Sequence, residues 1–86
     1  MSNVETKQLT DVEAIREILT KHGRISIEGL EDDGDLYVAG LTSLATVGVM
    51  LAIEERFDIE FPESMLSRGT FRSVESIAEA VAQLVG

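Results

Sequence analysis

The sequence predicts an all-α protein, a four-helix bundle with a short third helix and a long connection between helices one and two. Three observations lead to that class. Apolar residues recur at three- and four-residue spacings in three separate stretches. Glycine, proline and capping residues punctuate the chain between them. The chain of 86 residues, 44% of them apolar, suffices for one hydrophobic core but not for two. Residues 1–86 therefore read as a single domain, with 1–5 as a frayed N-terminus.

The first helix reads from Thr6 to His22, with Leu9, Val12, Ile15, Ile18 and Leu19 along one face. Thr10 and Glu13 have capping-box spacing, which offers Asp11 as an alternative start. Lys21 and His22 suit the negative end of the helix dipole, and Gly23 is expected to supply the left-handed residue that stops it. Arg24 to Leu41 is the long connection, carrying Gly29, Gly34 and Gly40 and the acids Glu28, Glu31, Asp32, Asp33 and Asp35. Ile25, Ile27, Leu30 and Leu36-Tyr37-Val38 are expected to pin it to the helices, with a short helical turn somewhere along it.

The second helix runs from Ser43 to Arg56, with Thr42 as its N-cap. Leu44, Val47, Met50, Leu51, Ile53 and Phe57 spread over half its circumference, a width that suits packing against several helices. The remaining face holds Ala45, Gly48 and Ala52, with Glu55 beyond them. Gly48 costs roughly 0.8–1 kcal/mol of helix propensity against alanine, so close approach by something should compensate. That something is either a partner's backbone or another helix of the same domain.

Asp58-Ile59-Glu60-Phe61 is an extended link ending at Pro62, a natural first residue of a helical turn. Glu63 to Ser67 is the short third helix, with Met65 and Leu66 facing in, and Arg68 to Phe71 a turn containing Gly69. Ser73 caps the last helix, striped by Val74, Ile77, Ala78, Val81 and Leu84 or Val85.

Seven basic against sixteen acidic side chains give a net charge of −9. A phosphate backbone or an anionic membrane would be repelled, so neither nucleic acid nor membrane is an expected partner. The same repulsion favours a monomer when free. There is no cysteine, hence no disulfide, zinc-thiolate site or thiol nucleophile, and one histidine cannot build a histidine metal site. The N-terminus lacks the features of a signal peptide, and no apolar run approaches the roughly 18–20 residues that span a bilayer. A soluble cytoplasmic protein is expected.

Self-sufficient catalysis fails on inventory. His22, at a helix end, complements the dipole rather than serving as a base. The residues around Ser43 do not form G-x-S-x-G. Placing Gly34 at the sixth position of a calcium loop puts Gly29 and Gly40 at its first and twelfth, where neither can ligate through a side chain. The acidic run reads as a solvated loop, leaving a calcium-responsive protein as a remote rival. No phosphate-binding G-x-x-x-x-G-K-[ST] loop exists. Among the serines, Ser43 stands apart, because it follows a glycine-containing turn and opens the most apolar helix. Free backbone N–H groups and the dipole would favour a phosphate attached there. The residues alone leave it either a modifiable serine or an ordinary helix-initiating one.

Gly40-Leu41-Thr42-Ser43-Leu44, followed by Glu54-Glu55-Arg56-Phe57-Asp58-Ile59-Glu60-Phe61-Pro62, resembles the signature of phosphopantetheine-dependent carrier proteins, the acyl, peptidyl and aminoacyl carriers. The spacing from Ser43 to Phe57 matches without a gap, and the resemblance covers residues 8 to 85. It implies that Ser43 receives 4′-phosphopantetheine from coenzyme A through a phosphopantetheinyl transferase. The arm's terminal thiol would then hold an acyl or aminoacyl group as a thioester for partner enzymes.

Carriers of fatty acid synthesis usually place an aspartate before the serine and acids down the exposed face of helix two. Here those places hold Thr42, Ala45 and Gly48, which argues against docking by a basic partner patch. The combination Asp35-Leu36-Tyr37, Gly40-Leu41-Thr42-Ser43, Met50-Leu51-Ala52-Ile53-Glu54, Phe57 to Pro62, Met65-Leu66 and Thr70-Phe71 is similar to stand-alone bacterial aminoacyl carrier proteins. Those are charged by synthetase-like amino acid:carrier-protein ligases. The expected docking surface is Leu41, Thr42, Leu44, Ala45, Gly48, Ala52 and Glu55, and no metal is expected. The alternatives are an acyl carrier of a fatty acid, lipid or polyketide pathway, served by acyl-transferring enzymes, and an unmodified helical interaction module. A charged amino acid cargo should stay outside the bundle, since burying an unpaired ammonium is expensive.

Overall fold

A computed structural model describes the backbone of residues 3–85 and the side chains of residues 11–85. It holds α1 (Asn3–His22), α2 (Ser43–Phe57) and α3 (Val74–Val85), with a 3₁₀ turn at Glu63–Met65. The all-α class stands, but the bundle has three helices, and the expected short third helix at Glu63–Ser67 is a single 3₁₀ turn. Pro62, extended at φ −68°, ψ 157°, opens that turn, and Leu66 at φ −85°, ψ 67° ends it. Two hydrogen bonds, Met65 N–H to the Pro62 carbonyl at 2.8 Å and Leu66 N–H to that of Glu63 at 3.0 Å, are all it makes. So short a segment lacks the residues to repay helix nucleation, and the tighter turn is what survives. Met65 packs on the core, but Leu66, expected inside, is exposed.

α1 starts at Asn3, before either expected start, and the expected core residue Leu9 lies outside the described side chains, as Met1 and Ser2 lie outside the described backbone. Its end also differs in mechanism. The left-handed residue is Arg24, at φ 57°, not Gly23. Gly23 is needed for space, because a Cβ there would stand 2.6 Å from the Leu19 carbonyl oxygen, to which the Gly23 N–H donates at 2.8 Å.

α1 packs against both other helices. Ile15, Ile18 and Leu19 of α1 meet Val49 and Ile53 of α2 and Val74, Ile77, Ala80 and Val81 of α3. Phe61 and Phe71 close the core edge to face, ring centroids 5.3 Å apart. The last helix follows its cap as expected: the Ser73 hydroxyl accepts from the Ser76 N–H at 3.0 Å.

The long connection is anchored rather than loose. Leu36 N–H donates to the Arg72 carbonyl at 2.7 Å and Glu75 N–H to that of Asp32 at 2.8 Å. Arg16 ties the same loop to α1 through the Leu30 carbonyl at 2.7 Å and the Asp32 carboxylate. Ile27, Leu36 and Leu41 enter the core, and Ile25, Leu30 and Tyr37 pack against it. Val38, expected among the pins, is 85% exposed.

On α2 the expected inside and outside are partly exchanged. Val49 and Ile53 are fully buried, while Leu44 is 85% exposed and Val47 and Leu51 about half. The small residues lie nearer the packed side. Ala45 and Ala52 pack on the core, and a Cβ on Gly48 would come 4.0 Å from the His22 carbonyl oxygen of α1. That is an ordinary contact distance, so packing does not require glycine at position 48, and the larger apolar side chains of α2 point outward.

Candidate functional site

Ser43 is the first residue of α2, and its side chain is exposed. Three local features hold it there. Gly40 adopts φ +119°, a conformation that side chains rarely take, and so reverses the chain just before the helix. Leu41 N–H donates to the Leu36 carbonyl at 2.9 Å, and the Leu41 side chain plugs into the core. Thr42, extended at φ −93°, ψ 162°, caps the helix by accepting the Ala45 N–H on its Oγ1 at 3.0 Å.

Capping by Thr42 satisfies one N–H of the first turn and leaves those of Ser43 and Leu44 without intrahelical partners. No acidic residue occupies that turn. The positive end of the α2 dipole therefore meets the Ser43 hydroxyl without a carboxylate to cancel it, an environment that favours a covalently attached phosphate. In a chain of net charge −9, this absence of local negative charge is what sets the place apart.

Beside Ser43 opens a cleft of about 350 Å³, lined by Tyr37, Ser43, Thr46, Val47, Met50, Leu66, Ser67, Arg68 and Phe71. The Arg68 guanidinium lies over the Tyr37 ring, 3.9 Å from its centroid. Tyr37 is placed in turn by Asp35, whose Oδ1 accepts the N–H groups of Tyr37 at 2.8 Å and Val38 at 3.1 Å. The Asp35 carboxyl is held below its ordinary value chiefly by the Val38 N–H. Partial burial opposes this, while the Tyr37 N–H and the Arg72 and Arg68 cations reinforce it.

On the other flank of α2, Gly48, Leu51, Ala52, Glu55 and Arg56 border a second groove against Glu17, Lys21 and His22 of α1. Leu44, Val47 and Leu51, spaced i, i+3 and i+7, form the ridge between cleft and groove.

Among the residues singled out from the sequence, Ser43, Thr42, Leu44 and Glu55 are exposed and Ala45, Gly48 and Ala52 half-buried. Leu41 is buried and can act only through the backbone it anchors. Sequence reasoning placed Val47 and Leu51 on the inward face, gave Tyr37 a part only in pinning the connection and in the family resemblance, and gave none to Thr46 or Arg68. The small-residue spacing was the available signal for the first two, because it marks the side where another helix comes close. Nothing local in the sequence announces the Tyr37–Arg68 pair, which joins two connections 31 positions apart.

Among the described residues, no group of three or more acids or histidines could hold a metal ion, and no helix is long and apolar enough to cross a membrane.

Residues 13–81 match the phosphopantetheine attachment site family. The chain is 49% identical to an aminoacyl carrier protein of Agrobacterium fabrum over 69 residues, covering 78% of this chain and 83% of that protein. It is 35% identical to a D-alanyl carrier protein of Streptococcus gordonii over 77 residues, covering 86% and 95% of the two. Among solved structures, it resembles a chain in the crystal structure of an engineered Bradyrhizobium japonicum glycine:[carrier protein] ligase complexed with a carrier protein from Agrobacterium tumefaciens and ATP. There the TM-score is 0.82 at 45% identity, covering 86% of this chain and 99% of that one. A solution structure from Agrobacterium tumefaciens matches at a TM-score of 0.69 and 46% identity, covering 84% of this chain and 89% of that one. The helix-opening serine, its uncancelled positive environment and these matches agree: the chain belongs to the phosphopantetheine-attachment family and is a carrier protein bearing a covalent 4′-phosphopantetheine arm, not itself an enzyme.

Proposed function

We propose that the arm is attached to Ser43 and that the cargo is an amino acid, loaded by a synthetase-like amino acid:carrier-protein ligase. The observation that carries the attachment is the exposed Ser43 hydroxyl at the start of α2, in a first turn free of carboxylates. When attached, the arm supplies a thiol that holds the cargo as a thioester, a nucleophile that this cysteine-free chain lacks. The protein's own residues position the serine and present a docking surface. The Leu44–Val47–Leu51 ridge beside Ser43 is that surface, with Thr42 at its head and Ala45, Gly48, Ala52 and Glu55 along its flank.

An apolar ridge suits a partner with an apolar cradle, where the acidic helix of fatty acid carriers suits a basic patch. The aminoacyl and D-alanyl carrier relatives, and the ligase in the related complex, support an amino acid as cargo. We place this work in the cytoplasm, where coenzyme A, ATP and the ligases are available, and regard residues 1–86 as one carrier domain acting alone.

The test is intact-protein mass after incubation with coenzyme A and a broad-specificity phosphopantetheinyl transferase, wild type beside Ser43→Ala. A gain of one phosphopantetheine in the wild type alone is expected. A gain that persists in Ser43→Ala would move the arm to another residue.

A further inference from the structure

The cleft beside Ser43 holds a cation, Arg68, in direct contact with no carboxylate. Among the described residues, Arg16, Lys21, Arg56 and Arg72 each pair with an aspartate or glutamate. Arg24 and Arg68 make no such contact, although the chain carries sixteen acids against seven basic residues, and Arg68 feels the Asp35 carboxylate only at longer range. Its guanidinium lies instead on the face of Tyr37, 3.9 Å from the ring centroid. Stacking uses the π surface of a guanidinium and leaves the N–H donors around its edge free.

The backbone on both sides of the pair is fixed. Tyr37 sits in the turn organised by Asp35. Arg68 lies inside a turn closed by Thr70 N–H donating to the Ser67 carbonyl at 3.2 Å and by the Ser67 and Thr70 hydroxyls at 3.2 Å. Much of the conformational freedom that arginine would lose on binding is therefore already gone. Arg68 and Ser43 line the same cleft, whose other walls include Val47, Met50, Leu66 and Phe71.

We propose that Arg68, held on the face of Tyr37, is a positioning residue that binds the phosphodiester joining the arm to Ser43 and so directs the arm from its first bonds. The inference rests on Ser43 as the attachment residue. A phosphodiester carries one negative charge and two unesterified oxygens, and an arginine edge offers paired N–H donors matched to them. The start of α2 and Arg68 then face the same anion from two sides, the helix through its free N–H groups and the arginine through charge. With the phosphate engaged, the arm's first bonds swing within a cone set by the protein rather than freely.

The experiment uses ¹⁵N-labelled protein before and after modification with coenzyme A and a broad-specificity transferase, with intact mass confirming one arm. Hydrogen exchange of the Arg68 Nε–Hε group is expected to slow roughly tenfold on modification, the factor that corresponds to about 1.4 kcal/mol. The Arg72 Nε–Hε group, paired with Asp35, serves as the control and should not change. The ³¹P resonance of the modified Arg68→Gln protein is expected to move toward that of free phosphopantetheine, and Tyr37→Leu should reduce the Arg68 protection. Arg68 is exposed, so its replacement should leave the fold intact, as the amide spectrum of the unmodified variant would verify. Added mass with unchanged Arg68 exchange would overturn this role while leaving Ser43 as the attachment residue. Absence of an arm on Ser43 would overturn both.

Discussion

Truncating Leu44 to alanine separates docking from folding more cleanly than any other change on α2. The side chain is 85% exposed, so it contributes little to the core and is nearly all available to a partner. Leu44→Ala removes three carbon groups, which at about 0.8 kcal/mol per buried methylene are worth about 2 kcal/mol if a partner covers them completely. Half coverage gives about 1 kcal/mol. The expected consequence is a rise of roughly 5- to 30-fold in the KM for the carrier in ATP-dependent glycine loading by a glycine:[carrier protein] ligase. The rate at saturating carrier should hold, since Leu44 touches neither thiol nor amino acid in this arrangement. Stability should stay within about 0.5 kcal/mol of wild type, because alanine is at least as good a helix former and few contacts are lost. Loading is followed by intact mass and folding by thermal melting of the same samples. A KM within about twofold of wild type would remove Leu44 from the docking surface and refute the ridge reading. A raised KM accompanied by a large fall in melting temperature would refute the separation of the two roles.

Ile53→Ala tests the opposite side of the same helix. Ile53 is completely buried, so the loss should be about 2–5 kcal/mol, read as a lower urea midpoint with loading by the folded fraction unaltered. Thr42→Ala removes the oxygen that accepts the Ala45 N–H and should cost about 1 kcal/mol, a fall of roughly 4–8 °C in melting temperature. Asp35→Asn tests the turn under Tyr37 through its pH dependence. Because the folded carboxyl titrates below its ordinary value of 3.8, its charge stabilises the fold fully above that value. The contribution fades as pH falls through the lowered folded value. Urea unfolding at a series of pH values should therefore show a constant gap between wild type and Asp35→Asn near neutrality, narrowing in acid. A gap that widened in acid would reverse the assigned sign.

The helix boundaries that were legible in the sequence are those with chemistry at their ends. Thr42 and Ser73 cap the second and last helices as read, and α2 ends within one residue of its expected limit. Its actual C-cap, Asp58 at φ 54°, takes the left-handed conformation that short polar side chains tolerate. Boundaries that depend on tertiary space were not legible. Gly23 reads as a left-handed stop, yet its function is to clear the Leu19 carbonyl, and Arg24 bears the positive φ. The Glu63–Ser67 stretch carries apolar residues at plausible spacing, but apolar spacing does not supply the hydrogen bonds that a single turn lacks.

The inside of α2 was misread because apolar side chains lie on nearly every side of it. Where periodicity gives no preferred face, size decides instead. The helix buries Val49 and Ile53, sets Ala45 and Ala52 against the core, and leaves Gly48 beside the groove toward α1. The larger Leu44, Val47 and Leu51 are left in water, at a hydrophobic cost that folding alone does not recover. A partner that covers the ridge recovers it. Packing on one side of α2 is accompanied by an apolar surface next to Ser43 on the other. Charge follows the same division. Sixteen acids give the chain a net charge of −9, yet none stands in the first turn of α2, where we propose the phosphate is carried. Repulsion is spread over the rest of the protein, and the helix end that opens on the proposed attachment serine is left positive.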